Sequence, residues 1–254
     1  MQLLDIPRLT EHTFVAAVEH FDSLASTQDR AHAAAASPDG QQPLLVVADS
    51  QTAGRGRAGN RWWTGQGSLA FSLLCDPATW NVSRSPSPVH ALTAAVALVE
   101  AVEPRLAPLT VGLHWPNDLF VERRKLAGIL LDVLADGRWV LGVGLNTNNR
   151  FEGAPPEVSA RAVSMCELSG APVDHTALLV DFLAALERVM RLSAAGSPEL
   201  GRRFDELCLQ NGSRLTLEVG SERITGYCEG IAADGALCLA TPQGSRRYYC
   251  GSIR

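Results

Sequence analysis

Apolar residues in this chain fall into two rhythms, short unbroken runs and longer stretches at helical spacing. Leu44-Leu45-Val46-Val47-Ala48, bounded by Pro43 and Asp49, and Leu69-Ala70-Phe71-Ser72-Leu73-Leu74 are runs of the first kind and predict buried strands. Residues 88–103 carry apolar side chains at helical spacing, behind a Ser87-Pro88 pair suited to the N-cap and first turn. Between 111 and 146 the pattern becomes strand-like. Residues 119–121 and 126–133 flank the charged turn Glu122-Arg123-Arg124, which predicts a hairpin with Lys125 near the start of its second strand. Asp136-Gly137 marks a further turn, and 139–145 returns as a strand. Two helices are predicted next, over 174–192 with Asp174 as cap and from Ser197-Pro198-Glu199 to Leu209.

The texture changes after Asn211-Gly212. Residues 214–219, 224–231, 236–240 and 246–250 are short alternating segments separated by glycine-bearing turns. They predict a small barrel-like module over 211–254, following a larger α+β domain over 1–210. A unit of about forty residues is near the lower limit for independent stability, so it is expected to dock on the larger domain.

Composition narrows the classes. The 254 residues are 46% hydrophobic, enough for a sizeable core, and carry a net charge of −5. With a pI near 5.7, a nucleic-acid surface over the whole protein is excluded, although a local basic loop is not. The six cysteines (75, 166, 208, 228, 238 and 250) form no C-x-x-C pair, a pattern of reduced, mostly buried thiols rather than of zinc or disulfide staples. Met1-Gln2-Leu3-Leu4-Asp5 has neither the basic start nor the apolar stretch of a signal peptide. A cytoplasmic protein with no membrane segment is expected.

Of the 22 Lys plus Arg residues only one, Lys125, is lysine. A compact ammonium at that place suits a site needing a point charge rather than a planar fork, although taken alone it reads equally as codon bias with one chance survivor on a hairpin. A second basic element is the tract Gln51-Thr52-Ala53-Gly54-Arg55-Gly56-Arg57-Ala58-Gly59-Asn60-Arg61-Trp62-Trp63. Its glycines let the backbone approach a ligand closely, its arginines offer forked cations, and its tryptophans can cover a flat ring. It fits neither the P-loop nor the dinucleotide pattern. On composition it reads equally as an exposed flexible loop or an anion-binding one; a nucleic-acid contact is a third reading, weakened by the acidic pI and the lack of further basic clusters. Three further clusters are polar turns: Ser26-Thr27-Gln28 just before a helix, where taken alone simple capping is the favoured explanation of the hydroxyls; Trp115-Pro116-Asn117-Asp118; and Gly142-Val143-Gly144-Leu145-Asn146 ending a strand.

In this order the motifs resemble the biotin–protein ligase family, in its class without a DNA-binding region. The matching stretches are Ser26-Thr27-Gln28, residues 51–57 with Trp62, residues 115–118, and Arg124-Lys125-Leu126-Ala127-Gly128-Ile129. The resemblance implies a class II synthetase-like mixed β-sheet flanked by helices, followed by an SH3-like β-barrel. It implies ATP and biotin as substrates with Mg2+ accompanying ATP, biotinyl-5'-AMP as intermediate, and a biotin carboxyl carrier protein domain as partner, with no DNA partner and a monomer or homodimer. By resemblance, Ser26, Thr27, Gln28 and Gln51 surround the ureido ring. Gly54, Arg55, Gly56 and Arg57 belong to the loop over biotin and the adenylate, with Arg57 and Lys125 catalytic and Gly128 beside the adenylate. Trp62, Asn117, Asp118 and Asn146 lie on the nucleotide side. The chain departs from the family pattern at His114, commonly lysine, at Asn60, commonly arginine, and at Thr64-Gly65-Gln66.

A lipoate–protein ligase or lipoyl transferase shares this chemistry and is the nearest alternative. A non-catalytic module using residues 51–67 to bind nucleic acid, or a partner, is the alternative from another class.

Overall fold

The computed structural model describes residues 4–37 and 40–253, so Met1, Gln2 and Leu3 of the signal-peptide reading lie outside the described residues. A helix α1 (Ile6–His12), a strand β1 (Ala17–Phe21) and a helix α2 (Thr27–Ala35) lead into β2 (Leu44–Ala48) and β3 (Leu69–Cys75). Helix α3 (Pro88–Val102) precedes β4 (Gly112–His114), β5 (Asp118–Val121), β6 (Arg124–Val133) and β7 (Trp139–Leu145). Helices α4 (Pro156–Ser159), α5 (Met165–Ser169), α6 (His175–Ala194) and α7 (Pro198–Leu207) follow. Strands β8 (Arg214–Val219), β9 (Glu222–Ile231), β10 (Leu237–Thr241), β11 (Gly244–Tyr248) and β12 (Ser252–Ile253) complete the chain.

Strands β1 to β7 form one mixed sheet in the order β1-β2-β3-β7-β6-β5-β4, with β1 and β2 parallel and the other pairs antiparallel. Strands β2 and β3 are buried along their whole length and so read as unbroken apolar runs. On one face Phe71, Leu73, Leu141 and Val143 join the large core with α3 and α6. On the other face α2 covers only one end, where Ala31 and Ala34 pack on Leu44, Val46, Leu74 and Val140. The rest of that face is left open and forms the cleft described below.

The predicted strands and helices are present, with shifted ends in the C-terminal part: β10 runs one residue beyond the expected end, and β11 starts two residues before its expected start. Helix α3 begins as expected, Ser87 Oγ accepting from Val89 N, and Asp174 caps α6 by accepting from Ala177 N. The hairpin turn is the two-residue pair Glu122 and Arg123, both at positive φ, as the twist of flanking strands demands. Strand β1 escaped the sequence reading because Glu19 and His20 interrupt it and every residue is only half-buried. Helix α1 and the short β4, α4, α5 and β12 are also additions.

Strands β8 to β12 form a separate five-stranded antiparallel sheet in the order β11-β10-β9-β8-β12. The contact with the larger sheet includes Trp115, fully buried, whose Nε1 donates to the Gly235 carbonyl at 3.1 Å, and its backbone N–H donates to Gln210 Oε1 at 3.2 Å.

Candidate active site

The cleft, of about 230 Å³, is floored by the open face of β3, β6 and β7. Side-chain size sets its depth. Gly144 lies between Ala70 and Gly128 in the register, and a Cβ there would collide with the Trp62 indole. A Cβ at Gly142 would collide with Gln28 Oε1. The glycines of β7 thus make room for one tryptophan and one amide.

One end of the cleft is polar and enclosed. Ser26 stands at the N-cap position of α2 in extended conformation, yet its hydroxyl makes no capping bond. The capping explanation of Ser26-Thr27-Gln28 is therefore corrected: Thr27 and Gln28 already belong to the first turn, and Ser26 Oγ is buried without a partner. A buried hydroxyl left unpaired beside a cleft is a group arranged for a ligand. Gln51 Oε1 accepts from Thr27 N at 2.8 Å and lies 3.2 Å from Thr27 Oγ1, while its Nε2 donates to Thr64 Oγ1 at 3.1 Å.

The basic tract forms a folded loop across the mouth. Trp62 N donates to the Gly54 carbonyl at 2.9 Å and Gly56 N to the Asn60 carbonyl at 2.8 Å. A Cβ on Gly54 would come within 2.5 Å of the Trp62 carbonyl, so glycine is required by close approach. Arg57 Nη1 donates to Asn117 Oδ1 at 3.1 Å; burial draws its guanidinium below the ordinary value, and Asp118 offsets part of that. Arg55 pairs with Asp29 at 2.9 Å on the exposed side. Arg61, next to Asn60, ties the loop through Nη2 to the Thr52 carbonyl at 2.8 Å.

Lys125 enters from the hairpin. Its Nζ is 2.6 Å from Asp118 Oδ2 and 5.7 Å from the centroid of the Trp62 ring. Its backbone is held by Arg161 O at 2.7 Å and by Val163 N at 3.0 Å. The register slips beside it: Ala127 faces Leu119, but Lys125 faces Phe120, leaving Leu126 as an extra residue. Such a bulge reverses the alternation and turns Lys125 to the face of Gly128.

A basic cleft with a polar closed end, a glycine–arginine loop and one lysine held by a carboxylate is the setting for comparison with known proteins. The biotin/lipoate A/B protein ligase family model matches residues 20–147. The chain belongs to this family. The Bacillus spizizenii bifunctional ligase/repressor BirA is 30% identical over 238 residues, 91% of this chain and 72% of that protein. The Mycobacterium tuberculosis biotin–[acetyl-CoA-carboxylase] ligase is 34% identical over 205 residues, 77% of this chain and 73% of that one. The Aquifex aeolicus biotin protein ligase, solved in complex with biotin and ATP, superposes with a TM-score of 0.81 at 26% identity, covering 94% of this chain and 99% of that one.

In this member of the biotin/lipoate ligase family, Ser26, Thr27, Gln28, Gln51, Arg55, Gly56, Arg57, Trp62, Asn117, Asp118, Lys125 and Gly128 all line the cleft. Gly54 stands just behind the loop it closes. Asn146 is not brought in: its side chain is buried, accepting from Asn149 Nδ2 at 3.2 Å and donating to the Lys125 carbonyl at 3.4 Å. Asn117 Nδ2 donates to the Ile129 carbonyl, which fixes the oxygen that meets Arg57. His114, where lysine is common, is half-buried against Phe120, its ring centroid 5.1 Å away, and burial lowers its pKa. It therefore supplies no cation at neutral pH.

Residues missed from the sequence also reach the cleft. Gly251, Ser252 and Ile253 bring the C-terminal sheet to its rim. Ser72 and Asp132 stand behind Gln28. Ser72 interrupts the apolar β3 and Asp132 follows the apolar run 126–131 of β6, and that was the signal available.

Proposed function

We propose that this chain activates biotin with ATP as biotinyl-5'-AMP and transfers the biotinyl group to a lysine of a biotin carboxyl carrier protein domain. The observation that carries the reading is the single cleft that joins an enclosed hydrogen-bonding end, at Ser26, Thr27 and Gln51, to a cationic middle at Lys125 and Arg57. The relatives named for biotin, and the neighbour solved with biotin and ATP, support the same choice over lipoate.

In this reading Ser26, Thr27, Gln28 and Gln51 surround the ureido ring. The biotin carboxylate then lies near Lys125. A carboxylate oxygen attacks the α-phosphorus of ATP, a mixed anhydride forms and pyrophosphate leaves. Two anions must meet for this step, and Lys125, held in place by Asp118, offsets their repulsion most as charge accumulates in the transition state. Arg57, braced by Asn117, and Arg55 and Gly56 of the same loop cover the adenylate and exclude water. In the second step the neutral ε-amine of the carrier lysine attacks the acyl carbon, the C–O bond of the anhydride breaks, AMP departs, and the nitrogen gives up a proton to solvent as the amide forms. Docking orients that amine.

Trp62, Asn117 and Asp118 are assigned to the nucleotide side. Among the described residues no three His, Cys, Asp or Glu side chains converge as a metal site, and Asp118 is the one carboxylate lining the cleft. These residues fit a magnesium ion that arrives on ATP phosphates with Asp118 and Asn117 at its margin, where it would neutralise phosphate charge. We assign residues 1–210 to catalysis and 211–254 to an SH3-like barrel completing the rim. The carrier domain is that of a biotin-dependent carboxylase. The six cysteines are free thiols, in keeping with the cytoplasm. No helix among the described residues is long and apolar enough to cross a membrane.

The test is pyrophosphate release from ATP with biotin, and separately with lipoate, in the presence of a carrier domain followed by intact mass. Biotin-dependent release with a biotin-sized mass gain is expected. Turnover with lipoate alone overturns the assignment.

A further inference from the structure

Behind the enclosed end of the cleft, a chain of side chains runs from His32 near the surface to Thr27, and the chemistry of its members dictates where each proton lies. Asp132 Oδ2 is 3.0 Å from Gln28 Nε2 and 2.8 Å from His32 Nε2. The second N–H of Gln28 goes to the Val140 carbonyl at 3.0 Å. A carboxylate and a carbonyl only accept, so the Gln28 amide has one orientation, with Oε1 turned to Ser72. That oxygen in turn only accepts, so Ser72 Oγ donates to it at 2.9 Å.

Thr27 is left with acceptors alone. Its Oγ1 is 2.9 Å from Ser72 Oγ, whose proton is already committed, and 3.2 Å from Gln51 Oε1, whose orientation is set by the Thr27 N–H. The Thr27 proton therefore points into the protein, and lone pairs face the cleft. Beside it, Ser26 Oγ is free to donate.

We propose that Asp132, acting through Gln28 and Ser72, is a positioning residue that holds Thr27 as an acceptor, so that this end of the cleft selects a head group presenting an N–H beside a carbonyl. A cyclic urea does this; the dithiolane ring of lipoate has neither group. The inference rests on the biotin reading and adds the residues that enforce it.

The experiment measures binding of biotin, and of an isosteric cyclic-carbonate analogue in which both ureido N–H groups are oxygen, by calorimetry, with the KM for ATP measured alongside. The wild-type protein is expected to prefer biotin about a hundredfold or more, because the analogue sets lone pairs against lone pairs. Ser72→Ala removes the nearer of the two acceptors of the Thr27 proton and leaves only Gln51 Oε1, at 3.2 Å, to hold it away from the ligand, and Asp132→Leu releases Gln28. Each is expected to weaken biotin binding about tenfold and shrink the preference by a similar factor, with the KM for ATP unchanged within about twofold. Asp132→Asn, which keeps a carbonyl towards Gln28, should restore the preference. Thermal melting checks folding; Ser72→Ala removes a single oxygen and carries the test if Asp132→Leu does not fold. Equal losses for biotin and analogue, or wild-type preference in Ser72→Ala, overturn the proposal. Failure of the wild-type protein to bind biotin overturns the underlying reading and the inference with it, a result separable from the other two.

Discussion

Lys125 Nζ lies 2.6 Å from Asp118 Oδ2, although the two residues belong to different strands of a hairpin whose register slips between them. Asp118 faces Gly128, and a Cβ placed on Gly128 would sit 3.3 Å from Asp118 Oδ1 and 3.4 Å from Lys125 Cε. The pair is thus packed as well as charged. Lys125→Arg retains the charge but brings a planar fork into a space closed by Trp62 and Asp118. A loss of about a hundredfold in adenylate formation is expected, measured as biotin-dependent pyrophosphate exchange. Near-normal exchange would remove Lys125 from the role assigned to it.

The rarity of lysine has its own consequence. Adenylate that escapes the cleft reacts with amines, and this chain offers only Lys125 and the terminal amine. Incubation with biotin and ATP, without carrier, should leave biotin on those positions and nowhere else in a peptide map. Modification at any other residue contradicts this.

Gly144 tests the floor of the cleft. Gly144→Ala drives a methyl group into the Trp62 indole, which must shift from its place beside Lys125. The expected result is at least a tenfold rise in the KM for ATP, with an altered tryptophan emission spectrum. An unchanged KM would place Trp62 outside nucleotide binding.

Stability should fall on the acid side through His90. This residue of α3 is buried with its ring 4.4 Å from Trp139 and its Nδ1 unpaired, and burial pushes its pKa down to about 4. The unfolded chain takes up the proton near the ordinary histidine value of 6.5, whereas the folded one resists it. The contribution is therefore complete above about pH 6.5 and lost as pH falls towards 4, to the extent of about 3 kcal/mol. Burial lowers the pKa of His114 and His175 also, so their effects run in the same direction. Denaturant titrations from pH 7 to 4 should show the decline, and His90→Phe should flatten it. A variant with the wild-type slope would refute the role of His90.

Trp115→Phe addresses the joint between the two sheets. It removes the bond to the Gly235 carbonyl and is expected to cost about 1–2 kcal/mol in denaturant unfolding. No change would mean that apolar packing alone holds the joint.

Much of this molecule is determined by short stretches of sequence. Leu44–Ala48 is a strand because an apolar run of that length between a proline and an aspartate has few other uses, and α3 starts where Ser87 and Pro88 say it must. The glycine–arginine tract and the lone lysine left several readings open by composition, and only their order with the other motifs pointed to a cationic site. Local pattern failed where the deciding contact is distant. The face to which Lys125 points depends on an extra residue, Leu126, that exists only relative to its partner strand. Asn146, polar and at the end of β7, turns to Asn149 because the loop after it folds back. Ser26 has the sequence of a cap and the geometry of one, but its hydroxyl is left for the cleft. Ser72 and Asp132 lie 44 and 104 residues from Gln28 and meet it only because β3, β6 and β7 pair side by side. Propensity and periodicity act over a few residues and so set the elements; hydrogen-bond direction and side-chain aim depend on strand pairing, which only the tertiary structure supplies.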